Sequence, residues 1–183
     1  FLLLGQSTNG SVTINSKTKF ILGLSGLTLT NPEGPAILIT SSSRGIIHLA
    51  DSSIISDGTA NSNKGALQSS GKLVFMGRGA LSVSGRAKHG IQTSKSATIK
   101  SGNIHILTAK KDGFNVDNYI QRGGNVTVTG RGDGIDGDQG YIDISGGSIT
   151  INCTADDVKG LGCDSTITIS GGTINITISG DQS

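Results

Sequence analysis

The chain has 183 residues and a formal net charge of +2, with 29 glycines, no tryptophan and only 3% aromatic residues. This length suits one domain, and the shortage of aromatic residues argues against a base-stacking surface for nucleic acid. Residues 1–100 carry ten Lys or Arg and three acidic residues, whereas residues 101–183 carry five Lys or Arg and ten Asp. This separation of charge favours a localised cation site in the second half over a nucleic-acid interface.

In chain order, the first feature is the alternation of apolar and polar residues from Ser11 to Thr30. A period of two is typical of β-strands that are buried on one face, and no segment shows a convincing helical period. The two prolines and the glycine of residues 31–35 cannot continue a β-ladder, so they predict a turn. Residues 56–63 lack apolar periodicity and predict a loop that leaves the strands.

A repeating unit becomes regular from residue 65 onwards. Repeats of 21 to 30 residues that cannot bury their own apolar face must stack on their neighbours. The pattern predicts an all-β fold, a right-handed parallel β-helix of about seven turns, as one domain over residues 1–183. The apolar residues that we take as equivalent in successive turns are Ile37, Leu67, Ile91, Phe114, Ile135 and Val158.

The two ends of the chain suggest a piece of a longer solenoid. Residues 1–4 are apolar but too few to cross a membrane, so we expect no membrane insertion. The chain does not begin with Met, and residues 179–183 resemble the start of another turn. We therefore expect the protein to have been excised from a longer chain.

Acidic turns accompany the last three equivalent positions, because an Asp lies two residues before each of Phe114, Ile135 and Val158. Parallel strands stack about 4.8 Å apart, which aligns such carboxylates, and Ca²⁺ takes six to eight oxygen ligands. The sequence therefore predicts Ca²⁺ between turns, with solvated turns capped by Asp and Asn as the alternative. The candidate ligands are Asp112, Asn115, Asp117, Asp133, Asp136, Asp138, Asp156 and Asp157.

The two cysteines leave two interpretations open. Cys153 continues the inward-facing series of Ile149 and Ile151, which is typical of a core thiol, and Cys163 follows ten residues later. An even pair in an extracellular protein is also compatible with a disulfide. The three His residues are not spaced as partners of a nucleophile, so we expect no Ser-His-Asp site.

The motifs of the second half resemble a bacterial family of calcium-containing parallel β-helix carbohydrate-binding proteins. The resemblance rests on Gly-Asp-Gly-Ile at 132–135, on the Ser-Gly-Gly strands of 140–151 and on Ala-Asp-Asp-Val at 155–158. It implies a pectate-lyase-like fold, an extracellular or cell-surface location, Ca²⁺ between turns, and binding of cellulose or acidic polysaccharide without established cleavage. His89, Gln92 and Lys159 stand where the family pattern has acidic residues, which weakens the case for a cation there.

We therefore expect a secreted protein that binds a polysaccharide partner without cleaving it. Outward-facing Ser, Thr, Asn and His residues, which recur from Thr28 to Thr177, predict a polar face for an extended polymer. The oligomeric state stays open. The candidate carbohydrate-binding residues are Lys110, Arg122, Arg131, Thr127 and Thr150.

Two other functions stay open. In a polysaccharide lyase, Ca²⁺ would neutralise a uronate while Arg or Lys removes the α-proton, and Lys110, Lys111, Arg122 and Arg131 are the candidates. We favour ion pairs with neighbouring Asp residues as the role of these four. An adhesin, a structural solenoid or an ice-binding Thr face is the third possibility, although His105 and Leu107 interrupt the Thr pattern.

Overall fold

The computed structural model describes residues 1–61 and 64–181, and its regular elements in these ranges are β-strands. No helix in this part of the chain is long and apolar enough to cross a membrane. The strands are β1 (Leu2–Ser7), β2 (Val12–Ile14), β3 (Phe20–Asn31), β4 (Ile37–Ile39), β5 (Gly45–Leu49), β6 (Ser53–Asp57), β7 (Gly65–Ser69), β8 (Leu73–Gly77), β9 (Ala80–Gly85), β10 (His89–Ile99), β11 (Asn103–Ala109), β12 (Phe114–Gln121), β13 (Asn125–Gly130), β14 (Ile135–Asp136), β15 (Ile142–Cys153), β16 (Leu161–Gly162) and β17 (Ile167–Ile178).

The strands pair in parallel and form three stacks, because each turn of the chain contributes one segment to each stack. Stack A contains β2, β4, β7, the first parts of β10 and β12, β14 and β16. Stack B contains β5, β8, the first parts of β1, β3, β15 and β17, and the last parts of β10 and β12. Stack C contains β6, β9, β11, β13 and the last parts of β1, β3, β15 and β17. The fold is a β-solenoid of about seven turns, which confirms the predicted parallel β-helix.

The register of stack A confirms most of the predicted repeat and corrects its last member. Ile135 pairs with Leu161, so the alignment of Val158 with Ile135 is wrong. Residues 154–158 form a bend before the strand, and this extra length moves the equivalent position three residues along the chain. The paired positions in successive turns are Val12, Ile37, Leu67, Ile91, Phe114, Ile135 and Leu161.

The predicted loop at 56–63 begins later than expected. Ser56 and Asp57 are the last residues of β6, and residues 62–63 lie outside the described part of the chain. The Asp57 carboxylate is buried, accepting hydrogen bonds from Arg86 N at 2.6 Å and Asn61 Nδ2 at 2.7 Å. Burial raises the pKa of Asp57, while these hydrogen bonds oppose the rise. The turn predicted at 31–35 is present.

The core consists of inward-facing Ile, Leu and Val side chains, with a few aromatic rings between them. Phe114 and Tyr119 meet edge to face, with ring centroids 5.3 Å apart. The buried Tyr119 hydroxyl donates to Gln121 Oε1 at 2.7 Å, and the Gln121 amide in turn donates to the Gly124 and Ser148 carbonyls. This polar network inside the solenoid is therefore satisfied.

In four successive turns, the residue before the paired position of stack A is a glycine. Stack C, on the opposite side of the solenoid, lies too close to this position for a side chain. A Cβ added at any of the four would fall within 3.0 Å of a branched residue of stack C. Ala36 and Ala66 occupy the same position in earlier turns, where a methyl group fits. The four glycines and the residues that face them are Gly90 with Ile106, Gly113 with Val128, Gly134 with Ile151 and Gly160 with Ile176.

Candidate functional site

The Asp of the recurring Asp-Gly pair binds the backbone of the next turn. Asp112 Oδ1 accepts the N–H of Asp133 at 2.9 Å, and Asp133 Oδ1 accepts the N–H of Lys159 at 2.7 Å. Asp112 Oδ2 also lies 3.0 Å from His89 Nδ1, in a contact without hydrogen-bond alignment. These carboxylates form a column at the edge of stack A that faces stack C, where they connect successive turns.

The electrostatics of this column affect its neighbours. Burial raises the pKa of Asp133, the hydrogen bond from Lys159 N opposes the rise, and the charges of Asp112 and Asp136 add to it. Burial, together with the charges of Asp133 and Asp112, raises the pKa of the Cys153 thiol to about 11. Cys153 is 1% exposed, as predicted for a core thiol, and both it and Cys163 are free, so the structure holds no disulfide between them.

A second column, one residue after the paired position of stack A, is a ladder of amides. Gln92 Nε2 donates to Asn115 Oδ1 at 2.9 Å, and Asn115 Nδ2 donates to Asp136 Oδ2 at 2.9 Å. Asp136 Oδ1 accepts the N–H of Asp138 at 2.9 Å. At the top of this ladder Gln92 Oε1 is buried, and no group in the described part of the chain forms a hydrogen bond with it. An unpaired buried carbonyl oxygen is costly, so this atom is a candidate ligand for a cation or a water.

A third column holds carboxylates at the edge of stack A that faces stack B. Asp117 and Asp138 each lie three residues after a paired position, and the corrected register adds Asp164, three residues after Leu161. The Asp164 N–H donates to the Asp138 carbonyl at 2.8 Å, which places it on the adjacent turn. Burial raises the pKa of Asp138, and the charges of Asp136, Asp117 and Asp164 raise it further. Sequence reasoning missed Asp164 only because Val158 was taken as the paired residue.

The second and third columns meet at a polar cleft of about 160 Å³, whose lining includes Gln92, Asn115, Asp117 and Asp138. Within residues 1–61 and 64–181, no three His, Cys, Asp or Glu side chains are grouped as a metal site. The lining of the cleft instead includes the carboxylates of Asp117 and Asp138 and the side chain of Gln92. Ca²⁺ accepts carboxylate, amide and water oxygens in irregular geometry, so this donor set fits the ion.

The predicted ligands thus separate into groups that one ion cannot share. Asp112 and Asp133 lie five residues before Asp117 and Asp138, which is about 16 Å of extended backbone. Asp156 and Asp157 lie in the bend at 154–158, where Asp156 Oδ1 accepts the N–H of Asp181 at 2.7 Å. Of the eight candidates, those that the structure brings together around the amide ladder and the cleft are Asn115, Asp117, Asp136 and Asp138.

A group of cations, here called the basic corner, lies where stack C leads into stack A. Backbone hydrogen bonds from Lys110 N to Gly85 O and from Arg131 N to Ala109 O place its members on adjacent turns. No carboxylate in the described part of the chain forms a salt bridge with any of them. The expected ion pairs of Lys110, Lys111 and Arg131 with nearby Asp residues are therefore wrong. The members of the basic corner are Arg86, Lys88, Lys110, Lys111 and Arg131.

Arg122 differs from these cations because it is paired. Its Nη2 donates to Asp143 Oδ2 at 2.5 Å and its Nη1 to Ser145 Oγ at 3.2 Å, both on the next turn. The contact raises the pKa of Arg122 and lowers the pKa of Asp143. An ion pair was expected for Arg122, but the partner lies in stack B and outside the predicted acidic column.

The outer face of stack C carries the predicted polar column next to the basic corner. Thr127 pairs with Thr150 on the adjacent turn, and His105 pairs with Thr127. Ile54, which is 47% exposed, interrupts the column in an earlier turn, and Leu107 lies at a register shift. The column, in order along the solenoid, contains Gln6, Thr28, Ile54, Ser82, His105, Thr127, Thr150 and Asn175.

Comparison with known proteins identifies the family. Residues 1–183 match the family described as carbohydrate-binding domain-containing protein. The chain belongs to this family. A solved structure of a polysaccharide lyase-like protein from C. thermocellum, a gadolinium derivative, is similar to this carbohydrate-binding domain, with a TM-score of 0.77 and 21% sequence identity. The match covers 100% of this chain and 83% of that chain, and at this identity it supports the fold alone. A comparison with curated proteins found no match.

Proposed function

We propose that this carbohydrate-binding domain binds an acidic polysaccharide along the axis of the solenoid, without cleaving it, outside the cell or at its surface. The observation that carries the proposal is the basic corner, where five cations occupy three adjacent turns and none forms a salt bridge with a carboxylate of residues 1–61 and 64–181. Unpaired cations beside the hydroxyls of Thr127 and Thr150 suit a polymer that offers both carboxylates and hydroxyls. Membership of the family indicates that the ligand is a carbohydrate. The cations favour an acidic polymer over a neutral one such as cellulose.

We also propose that Ca²⁺ binds in the polar cleft, held by Asp117, Asp138 and the unpartnered Gln92 Oε1. The raised pKa of Asp138 reflects burial and the repulsion of neighbouring carboxylates, which a divalent cation would relieve. When bound, the ion would stabilise adjacent turns that also carry Lys110, Lys111 and Arg131, so its removal would weaken the basic corner. Asp164, on the next turn, adds negative charge to this edge of the solenoid.

Two features favour binding over cleavage. A lyase base must give up its proton near neutral pH, but the ion pair with Asp143 raises the pKa of Arg122. The other candidates, Lys110, Lys111 and Arg131, lie at the opposite edge of stack A from the cleft, too far away to act on a uronate bound to an ion there. The candidate base and the candidate metal site are therefore separated.

A retention assay tests this function. Polygalacturonate and cellulose matrices are incubated with the protein in Ca²⁺ or in EDTA, and we expect retention on polygalacturonate that weakens in EDTA. The Lys110→Glu/Arg131→Glu variant should be retained less than the wild type, whereas Lys64→Glu, an exposed control outside the corner, should be retained like the wild type. If the protein is retained on neither polymer, the proposal is wrong. The absorbance of unsaturated uronates should stay flat, and a rise with Ca²⁺ would indicate a lyase instead.

A further inference from the structure

The outer face of stack B carries a column of four aliphatic side chains and one threonine that the binding function above does not use. Backbone pairing places Ile21, Ile46, Val74, Thr98 and Ile120 side by side on five successive turns. Ile21 is 56% exposed, and the other four are partly exposed. Outward-facing positions of a solenoid are usually polar, so an apolar column along the axis marks an interaction surface.

Exposed cations border this column on the side of stack A. The N–H of Phe20 donates to the Arg44 carbonyl at 3.3 Å, and the N–H of Gly45 donates to the Lys72 carbonyl at 2.9 Å. Lys19, Arg44 and Lys72 therefore occupy the same position on three successive turns. None of the three forms a salt bridge within the described residues.

The opposite border, where stack B leads into stack C, is also basic. His48 pairs with Met76, and Lys100 follows Ile99 on the next turn of stack B. A depression of about 410 Å³ at this border includes His48, Met76 and Arg78 in its lining. Neither Lys100 nor Arg78 forms a salt bridge with a described carboxylate.

Carboxylates are few on this part of the surface, and Asp117, at the stack A edge of the turn that contains Ile120, is one of them. Asp51 stands at the margin, where its Oδ1 accepts the N–H of Ser52 at 2.7 Å. Asp143 belongs to the turn after Ile120 and is bound by Arg122. The face thus presents a narrow, mainly apolar centre over five turns, with cations along its stack A border on the first three of them.

We propose that this face of stack B is a second binding surface for an acidic polysaccharide, which lies along the solenoid axis. A pyranose ring is apolar on its C–H faces and polar at its edges, so the rings would rest on the Ile and Val column while carboxylates reach the cations on either side. The inference rests on the proposed function, because it assumes the same class of polymer. With the basic corner on another side of the solenoid, one protein molecule would join two polymer chains.

A polymer fits this face better than a membrane does. Membrane-lying surfaces use Trp, Phe or Leu to enter the acyl region, whereas this column offers Ile, Val and Thr along the stacked strands. The repeat of one cation per turn at Lys19, Arg44 and Lys72 also runs along the axis, as the charges of a linear polyanion do.

Calorimetric titration with an oligogalacturonate of defined length in Ca²⁺ tests the proposal by counting sites. We expect two oligosaccharides per wild-type chain and one per chain for each of three variants. Two of these change stack B, Arg44→Glu/Lys72→Glu and Ile21→Asp, and the third is Lys110→Glu/Arg131→Glu. The single site that remains should keep its affinity within about twofold, since the two surfaces are separate. Melting curves verify that each variant is folded.

The other outcomes overturn the inference in distinguishable ways. One site per wild-type chain, lost in Lys110→Glu/Arg131→Glu but unchanged in Arg44→Glu/Lys72→Glu, would contradict the second surface and leave the proposed function intact. No binding at all would remove both. Binding to phosphatidylserine vesicles that only the stack B variants lose would assign the face to a membrane. A sedimentation shift from dimer to monomer in the same variants would assign it to a second copy of the chain.

Discussion

At the scale of single residues, the Asp-Gly pairs of the second half are explained by packing and backbone hydrogen bonding. Gly113 is required because Val128 faces it across the solenoid, and Asp112 is required because it binds the N–H of Asp133. From the sequence, Asp112 was a candidate metal ligand. A recurring acidic motif can therefore be structural at one position and available to a ligand at another, as Asp117 is.

The glycine requirement predicts that Gly113→Ala lowers the free energy of unfolding by about 1–3 kcal/mol, because the added methyl group meets both the Val128 side chain and the Gly134 carbonyl. Urea denaturation measures the change. Gly113→Ala/Val128→Ala should show a coupling of opposite sign, since truncation of Val128 makes room. Gly34→Ala is the control, because only the Asn31 side-chain amide lies near that position. A neutral Gly113→Ala would contradict the packing argument.

The raised pKa of Asp138 predicts a pH-dependent effect. The folded state holds this proton more tightly than the unfolded state, so the contribution is favourable below the ordinary pKa of 3.8 and is lost as the pH rises through the raised value. In EDTA at pH 7, Asp138→Asn should therefore melt higher than the wild type, and the gap should close on acidification. In Ca²⁺ the order should reverse, because a ligand is lost. Asn tolerates the positive φ of 40° at this position.

Asp143→Asn is the matched control of opposite sign. Its hydrogen bond with Arg122 lowers the pKa of Asp143, so that contribution is present at neutral pH and is lost as the pH falls through the lowered value. This variant should melt slightly below the wild type at pH 7, with or without Ca²⁺. If Asp138→Asn behaves in the same way in EDTA, the repulsion inferred among the carboxylates is absent.

At the scale of strands and turns, the sequence predicted what depends on periodicity and failed where an insertion shifts the pairing. The alternation of apolar residues and the turn length predicted the paired positions from Ile37 to Ile135. Val158 and Leu161 are both apolar, and only backbone hydrogen bonds distinguish them, so the last turn was misaligned. The basic corner was missed as a group because Arg86, Lys110 and Arg131 are neighbours only after the turns stack.

The amide ladder predicts a stability contribution shared between turns. Asn115→Ala removes the acceptor for Gln92 and the donor to Asp136, so we expect a loss of about 1–3 kcal/mol in the free energy of unfolding. Ser94→Ala, at an exposed position lining the same cleft, should change the value by no more than about 0.5 kcal/mol. If the two substitutions change the free energy of unfolding equally, the amide ladder contributes no more to stability than an exposed side chain does.

At the scale of the whole molecule, stacking converts the uneven charge of the sequence into an uneven charge along the solenoid. The first turns are mainly basic, and the acidic edge lies in the later ones, where a cation would join adjacent turns. A ligand that binds only the folded state stabilises it by about 2.7 kcal/mol at a hundredfold excess over its Kd. We therefore expect EDTA to lower the Tm and Ca²⁺ to restore it.

The ion response also discriminates between metals and sites. Ca²⁺ should restore the Tm better than Mg²⁺, since the larger ion accepts more oxygens in irregular geometry. Asp117→Asn and Asp138→Asn should abolish the response, whereas Asp112→Asn should keep it, because Asp112 lies at the other edge of stack A. A melting curve that is unchanged by chelation, in protein verified to be metal-free, would leave the cleft as a solvated edge.

In the proposed function, cations on stacked turns of the solenoid hold an acidic polymer, and Ca²⁺ stabilises those turns. The most direct test of this function is the affinity of the wild-type protein for polygalacturonate, compared with fully methyl-esterified pectin, in Ca²⁺ and in EDTA. We expect tight binding of polygalacturonate in Ca²⁺, at least tenfold weaker binding in EDTA, and little binding of the esterified polymer in either buffer. Equal affinity for the charged and the esterified polymer would contradict the proposed function.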